Sequence, residues 1–248
     1  DTENLIRSIG SDKIRIHHSV WDPQHFSGGK ILAIETDKAF QLIDPQSDWA
    51  FYIQADEVIH EKYHPAIREA LLKYKDDKKV EGLLFRYLHF YGTFDYVGDS
   101  RKWYNKEIRI IRNDPSIHSY RDAQGFRKNG RKLHVKEIAA WVYHYGWVKN
   151  PRQMMTKKRN LASYWQEQRS ENAVRNAAEI FDFSQFDSLD LFRGSHPKVM
   201  LERIKNQHWE VPVDLSRKNF SLKGSLLYWI EKKTGIRLFD YKNYIIMR

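Results

Sequence analysis

The chain of 248 residues predicts an α/β fold with a helical C-terminal extension. Three observations carry this expectation: a continuous apolar run of strand length at residues 48–53, an early alternation of helical and strand-like segments, and helical patterning after Asn150. We expect a domain over residues 1–150 and an extension over residues 151–248 that packs on it.

Residues 3–9 predict the end of a helix, followed by the turn Gly10-Ser11-Asp12 and a short strand over 13–17. Pro23, Gly28 and Gly29 make 21–30 a loop. Apolar residues at helical spacing (Ile31, Ile34, Ala39, Leu42, Ile43) predict a helix. The run 48–53 suits a strand covered on both faces, as in a parallel sheet, and it stops at Gln54-Ala55-Asp56-Glu57. Pro65 opens a helix carrying Ile67, Ala70, Leu71 and Tyr74, with proline at a tolerated first position.

Strands over 83–91 and 107–112 flank an aromatic excursion at 92–105. Gly125 and Gly130 make 121–132 a flexible loop, and 136–147 reads as a fourth strand. Asn150-Pro151 is a helix start, with a helix expected to run to about Glu179. Short helices at 197–205 and 222–233 precede an aromatic tail at 238–246.

Hydrophobic content of 41%, with 8 Trp, 14 Tyr and 13 Phe, excludes a disordered chain. The absence of cysteine excludes a disulfide scaffold, an iron–sulfur site and a thiol nucleophile. No apolar run approaches the ~18 residues of a membrane span. The net charge of +10 is local: residues 101–160 hold 16 Lys+Arg and 4 Asp+Glu, a net of +12, leaving −2 elsewhere. Aromatics interleave with these cations, which suits stacked bases of single-stranded nucleic acid or a sugar-phosphate ligand. Phosphate-cradling and dinucleotide glycine motifs and a nucleophile elbow are absent from the sequence. The pairs His17-His18 and His60/His64 have no third ligand at matching spacing and read as structural or surface groups.

Asp56 and Glu57 directly follow the apolar strand. Carboxylates at a strand's C-terminal end favour a hard divalent cation and, through it, a diphosphate; the plainer reading is a cap on the next helix. The segment Asp48-Trp49-Ala50-Phe51-Tyr52-Ile53-Gln54-Ala55-Asp56-Glu57 resembles the strand and acidic motif of family 2 glycosyltransferases of the GT-A fold, where a similar strand commonly ends Asp-x-Asp-Glu. Asp1-Thr2-Glu3-Asn4-Leu5-Ile6, Gly28-Gly29-Lys30 with its helix, Phe90-Tyr91-Gly92 and Ile108–Arg112 extend the resemblance over roughly residues 1–165. Two departures stand out. Gln54 occupies the first acidic position, and the chain begins just past the strand–helix–strand unit with which family members open, so a preceding segment is expected.

The resemblance implies a GT-A-like mixed sheet flanked by helices. It also implies inverting, metal-assisted sugar transfer from a nucleotide-diphosphate donor to a glycan or lipid-linked acceptor, as in polysaccharide biosynthesis. Asp56 would hold Mn²⁺ or Mg²⁺ with His144, and Gln54, Glu57, Lys30, Arg121 and Arg127 would serve the donor. Asp122, on the loop after the third strand, is the expected general base; its alternative is a surface aspartate paired with Arg121 or Arg127. His144 could equally be a core histidine. Trp103 and Tyr104 would form an acceptor platform. A cytoplasmic location is expected, with peripheral membrane contact through Phe239, Tyr241, Tyr244, Ile245, Lys242 and Arg248. Rival readings are a non-catalytic nucleotide-sugar or glycan-binding protein and a single-stranded nucleic-acid-binding module, the latter leaving the acidic motif unexplained.

Overall fold

A computed structural model describes residues 2–162, 164 and 179–248. Among them, the strands in chain order are β1 (Trp49–Phe51), β2 (Glu57–Ile59), β3 (Gly82–Tyr91), β4 (Tyr96–Gly98), β5 (Lys106–Arg112), β6 (Ile117–Ser119), β7 (Phe126–Lys128), β8 (Arg131–Lys132), β9 (His134–Trp147), β10 (Leu189–Leu191) and β11 (Ile245–Ile246). The helices are α1 (Thr2–Ser8), α2 (Lys30–Phe40), α3 (His64–Lys73), α4 (Pro151–Ala162), α5 (Leu201–Lys205) and α6 (Leu222–Thr234). The fold is mixed α/β.

β3 is the axis of the main sheet, because Gly82-Leu-Leu-Phe-Arg-Tyr-Leu-His-Phe-Tyr is apolar on both faces and is buried at nearly every position. It pairs parallel with β9 on one side and antiparallel with β5 on the other. β1 joins the outer edge of β5, and β2 and β11 join the outer edge of β9. Where β5 has ended, β4 takes over pairing with β3 and carries β10. Two groups of buried side chains cover the β3–β9 region, one around Leu83, Phe85 and Val142 beneath α3, the other around Leu84, Ile108 and Val135 beside α2.

Arg112 ties β5 to the end of α3. Its guanidinium donates to the carbonyls of Tyr74, Lys75, Asp77 and Val80 and lies 3.8 Å from the ring centre of Trp49. The guanidinium thus satisfies the carbonyl of the cap residue Tyr74 and carbonyls of the segment that follows the helix.

Several expectations hold. The helices at 3–9, 31–43 and from Pro65 form as Thr2–Ser8, Lys30–Phe40 and His64–Lys73, and Asn150 Oδ1 caps α4 by accepting from Arg152 N at 3.0 Å. Residues 165–178 of the long helix expected there lie outside the described residues. Others are corrected. The run 48–53 is not a strand sandwiched in a parallel sheet. It is a short edge strand antiparallel to β5, with Ala50 inward and Phe51 exposed, and its aromatics pack on Arg112 and Phe85 instead of under a second layer. Residues 13–17 form no strand. Residues 121–132 are not a simple loop: β6, β7 and β8 make a small antiparallel sheet, closed by Asn129-Gly130 at φ 49° and 79°. Positive φ at both positions is the signature of a two-residue hairpin turn.

Candidate functional site

The antiparallel register of β2 and β9 sets Glu57 opposite His144, and Tyr145 N donates to Asp56 O at 2.8 Å. These bonds bring Asp56 Oδ1 to 3.8 Å from His144 Nε2. Lys157, reaching back from α4, donates from Nζ to Asp56 Oδ2 at 2.7 Å and to Gly146 O at 2.9 Å. Asp56 is not a helix cap, since His60 Nδ1 accepts from Lys62 N at the turn leading into α3. Burial pushes the Asp56 carboxyl up, but His144 and Lys157 outweigh it and hold the group below the usual carboxylate range.

Gly146 makes this approach possible. A Cβ there would stand 2.6 Å from His144 Nε2 and 2.7 Å from Asp56 Oδ2. The missing side chain thus lets an imidazole nitrogen and a carboxylate oxygen close in on the backbone at residue 146.

His89, across the parallel β3–β9 register from His144, sets the tautomer of that imidazole. Its Nε2 lies 2.8 Å from the carbonyl of Tyr104, which only accepts, so Nε2 carries the hydrogen. Its Nδ1 is therefore a bare acceptor, and His144 Nδ1, 3.2 Å away, must donate to it. The lone pair of His144 is left on Nε2, facing Asp56. Burial, then the neighbouring His144, drops His89 to about 3, and burial lowers His144 as well, so both rings are neutral at neutral pH. A neutral imidazole with a fixed second nitrogen is the ligating form of histidine. Asp56 and His144 are a pair only: among the described residues no group of three or more His, Asp or Glu could hold a metal ion.

Two residues before Asp56, Gln54 lines a cavity of about 460 Å³ together with Tyr104, Glu107, Arg109, Asp122 and Asn243. Asp122 Oδ1 accepts from Gln124 Nε2 at 2.8 Å. Asp122 also borders a second cavity of about 650 Å³ with Lys30, Asp37 and Arg121. Lys30 opens α2 directly after Gly28 and Gly29, whose φ of 58° and 70° no side chain adopts readily. Five of the expected residues therefore share connected surroundings: Gln54, Tyr104, Asp122, Lys30 and Arg121.

Others are placed elsewhere. Glu57 is buried, its oxygens accepting from Arg109 Nε (2.9 Å), Arg109 Nη2 (2.6 Å) and Tyr87 Oη (2.9 Å), so that its carboxylate is taken up by an interior ion pair. Arg127 is buried too. It donates to Asn243 Oδ1 at 2.5 Å and stacks 3.9 Å above Tyr120. Trp103 packs over Gly98 and stacks on His89 at 5.2 Å, bordering a third cavity shared with Tyr104 and Tyr228. His60 is structural, bonded to Ser195 Oγ at 2.9 Å.

The basic segment is partly neutralised in space. Arg101, Lys102, Arg109, Arg131 and Lys157 pair with Glu231, Asp187, Glu57, Glu81 and Asp56, acids that all lie outside residues 101–160.

Three residues escaped the sequence reading. Glu107 carries a carboxyl whose Oε2 is buried without a hydrogen-bond partner among the described residues, on the wall of the cavity that holds Asp122. Burial pushes it up to about 7, against the pull of Arg109 and with the help of Glu57 and Asp122. An acid heading an apolar strand, Glu107-Ile-Arg-Ile-Ile, was a visible signal. His89 and Lys157 had none, because each depends on strand register and helix placement. No protein-family model matches the chain, and no curated protein matches it in sequence.

Proposed function

We propose that the protein is a glycosyltransferase of GT-A-like fold, moving a sugar from a nucleotide-diphosphate donor to a glycan or lipid-linked acceptor with inversion. The observation that carries the reading is the pair Asp56–His144 packed against Gly146, linked through His89 to Tyr104 on the wall of the cavity that holds Asp122. Asp56 and a neutral His144 offer two donors, a carboxylate and an imidazole, of the kind that Mn²⁺ takes and Mg²⁺ tolerates, and among the described residues no third His, Asp or Glu joins them. When bound, the cation would supply positive charge to the departing diphosphate. Lys157 adds a fixed ammonium beside it, and Lys30 and Arg121 add mobile ones near Asp122.

In the transfer, the Asp122 carboxylate takes the proton of an acceptor hydroxyl as that oxygen bonds to the anomeric carbon. The bond from that carbon to the diphosphate oxygen breaks, and its electron pair leaves with the diphosphate. Gln54, without charge, serves as a hydrogen-bonding group to ribose or phosphate; its Nε2 already donates to Tyr52 Oη at 3.0 Å. Tyr104 is the acceptor-side ring.

The test is release of nucleoside diphosphate from common nucleotide sugars with Mn²⁺ or Mg²⁺. Turnover that falls at least a hundredfold in Asp122→Asn (about 3 kcal/mol) supports the reading. No release with any donor, together with unchanged donor binding in Asp56→Ala, removes it. Gln54 in place of an acid favours a second reading, a nucleotide-sugar-binding protein without transfer; saturable binding with no turnover under any metal would establish that instead.

A further inference from the structure

α6 turns an apolar face away from the molecule. Leu222, Leu226 and Trp229 recur at the spacing of one helical face, and they are 94%, 58% and 58% exposed. The helix buries none of its residues completely. Its opposite side does the attaching: Tyr228 Oη and Lys232 Nζ bond Asp99, and Glu231 Oε2 accepts from Arg101 Nη1 at 2.6 Å.

After the left-handed cap Gly235, the chain exposes Ile236, Leu238, Phe239 and Tyr241. Phe239 is 88% exposed and sits at φ 56°, a backbone state that bulky residues rarely adopt. Arg101 holds this segment against the helix, donating from Nη2 to Leu238 O at 2.5 Å while Nη1 holds Glu231. The segment that follows the helix is therefore held beside it, and both carry exposed apolar side chains.

The charges around them are of one sign. Lys223, Lys233 and Lys242 are exposed. Glu231 and Asp240, the only acids between residues 222 and 248, are turned inward to Arg101 and Arg237. Large aliphatic and aromatic side chains ringed by lysines, with the acids withdrawn, match the boundary of an anionic bilayer, where rings and methyls enter the acyl edge and ammoniums meet headgroup phosphates.

We infer that α6 and residues 236–242 form a docking surface for an anionic lipid membrane. The inference does not depend on sugar transfer. If that reading also holds, docking would bring the cavity with Asp122, whose wall includes Tyr241 and Asn243, close to the headgroups where a lipid-linked acceptor lies.

The experiment is co-sedimentation of the full chain with vesicles of pure phosphatidylcholine and of phosphatidylcholine containing phosphatidylglycerol. Binding to the anionic vesicles that weakens with salt, and no binding to the neutral ones, is the expected result. The triple variant Leu226→Ser, Trp229→Ser, Phe239→Ser should lose at least about tenfold in partitioning. Should that variant misfold, Lys223→Glu with Lys233→Glu, both on the surface, should give the same loss with an unchanged circular dichroism spectrum. Wild-type failure to bind anionic vesicles at low salt overturns the inference. So does equal binding by the folded variants, or a dimer in solution that Trp229→Ser dissociates, which would make a second copy the occupant.

Discussion

His89 and His144 face each other Nδ1 to Nδ1 at 3.2 Å, and the carbonyl of Tyr104 at 2.8 Å from His89 Nε2 decides which of the two nitrogens carries the shared hydrogen. One backbone oxygen thereby determines that His144 offers a lone pair to the side of Asp56. His89 touches no ligand in this arrangement and is a positioning residue. Replacing it by Leu preserves apolar packing against Trp103 and Tyr104 but frees His144 to adopt either tautomer. Mn²⁺ affinity should then fall roughly 10- to 100-fold, the range expected for loss of a partner behind a metal-binding histidine. Titration followed by the electron paramagnetic resonance of free Mn²⁺ measures it. Unchanged affinity with an unchanged melting temperature would refute the positioning role.

Gly146 tests the close approach of these two groups. Gly146→Ala puts a methyl within 2.6 Å of His144 Nε2 and 2.7 Å of Asp56 Oδ2. The imidazole or the carboxylate must give way, so donor turnover should drop at least tenfold, about 1.4 kcal/mol. The cost in stability should be about 1–3 kcal/mol, the range for an extra methyl forced among packed groups. Thermal melting beside a turnover assay separates the two effects.

Much of this was readable in advance and some was not, for identifiable reasons. β3 and β9 announce themselves because long apolar runs with β-branched and aromatic residues admit few alternatives. β1 misleads: its apolar run looks like a buried central strand, yet Trp49 and Phe51 are consumed by a guanidinium and a neighbouring ring at an edge. The turn Asn129-Gly130 was legible and passed over among the surrounding cations. Asp56 and Asp122 stood out by their place after strands, whereas Glu57 looked equivalent to Asp56 and is not. Asp56 lies in the turn before β2 and meets Lys157 and His144, whereas Glu57 opens the strand and is locked to Arg109 in the interior. The excess charge misleads similarly, since sequence counting cannot see that acids from distant segments fold onto it.

Glu81 should govern acid stability. Its carboxylate accepts from Arg131 Nη2 at 2.6 Å, Arg131 Nη1 at 2.7 Å and His134 N at 2.9 Å. Burial pushes its pKa up, but these bonds and Lys128 overcome it and hold the group at about 2, against an ordinary 4.5. A depressed carboxylate stabilises the fold above the unfolded value and loses that contribution as pH falls through the folded one. The stabilisation is therefore complete above about pH 5 and gone near pH 2. Glu81→Gln should cost about 2 kcal/mol in urea unfolding at neutral pH, and the two proteins should converge as pH falls toward about 2. A difference that is independent of pH would contradict this.

Glu107 behaves in the opposite sense. Burial raises it to about 7, and Oε2 finds no partner among the described residues. A carboxyl raised above its unfolded value binds more protons in the folded state, so its ionisation works against the fold. The penalty is absent below the unfolded value and grows as pH rises from about 4.5 to about 7, staying constant beyond. Glu107→Gln keeps the shape and removes the ionisation. The variant should equal the wild type in stability near pH 4 and exceed it by about 1–3 kcal/mol near pH 8. Because Glu107 and Asp122 share one cavity, the pH–rate profile of the variant should lose the ionisation near 7. A variant whose stability difference is the same at both pH values would show that Glu107 is not protonated in the fold, and a profile that keeps the ionisation near 7 would assign it to another group.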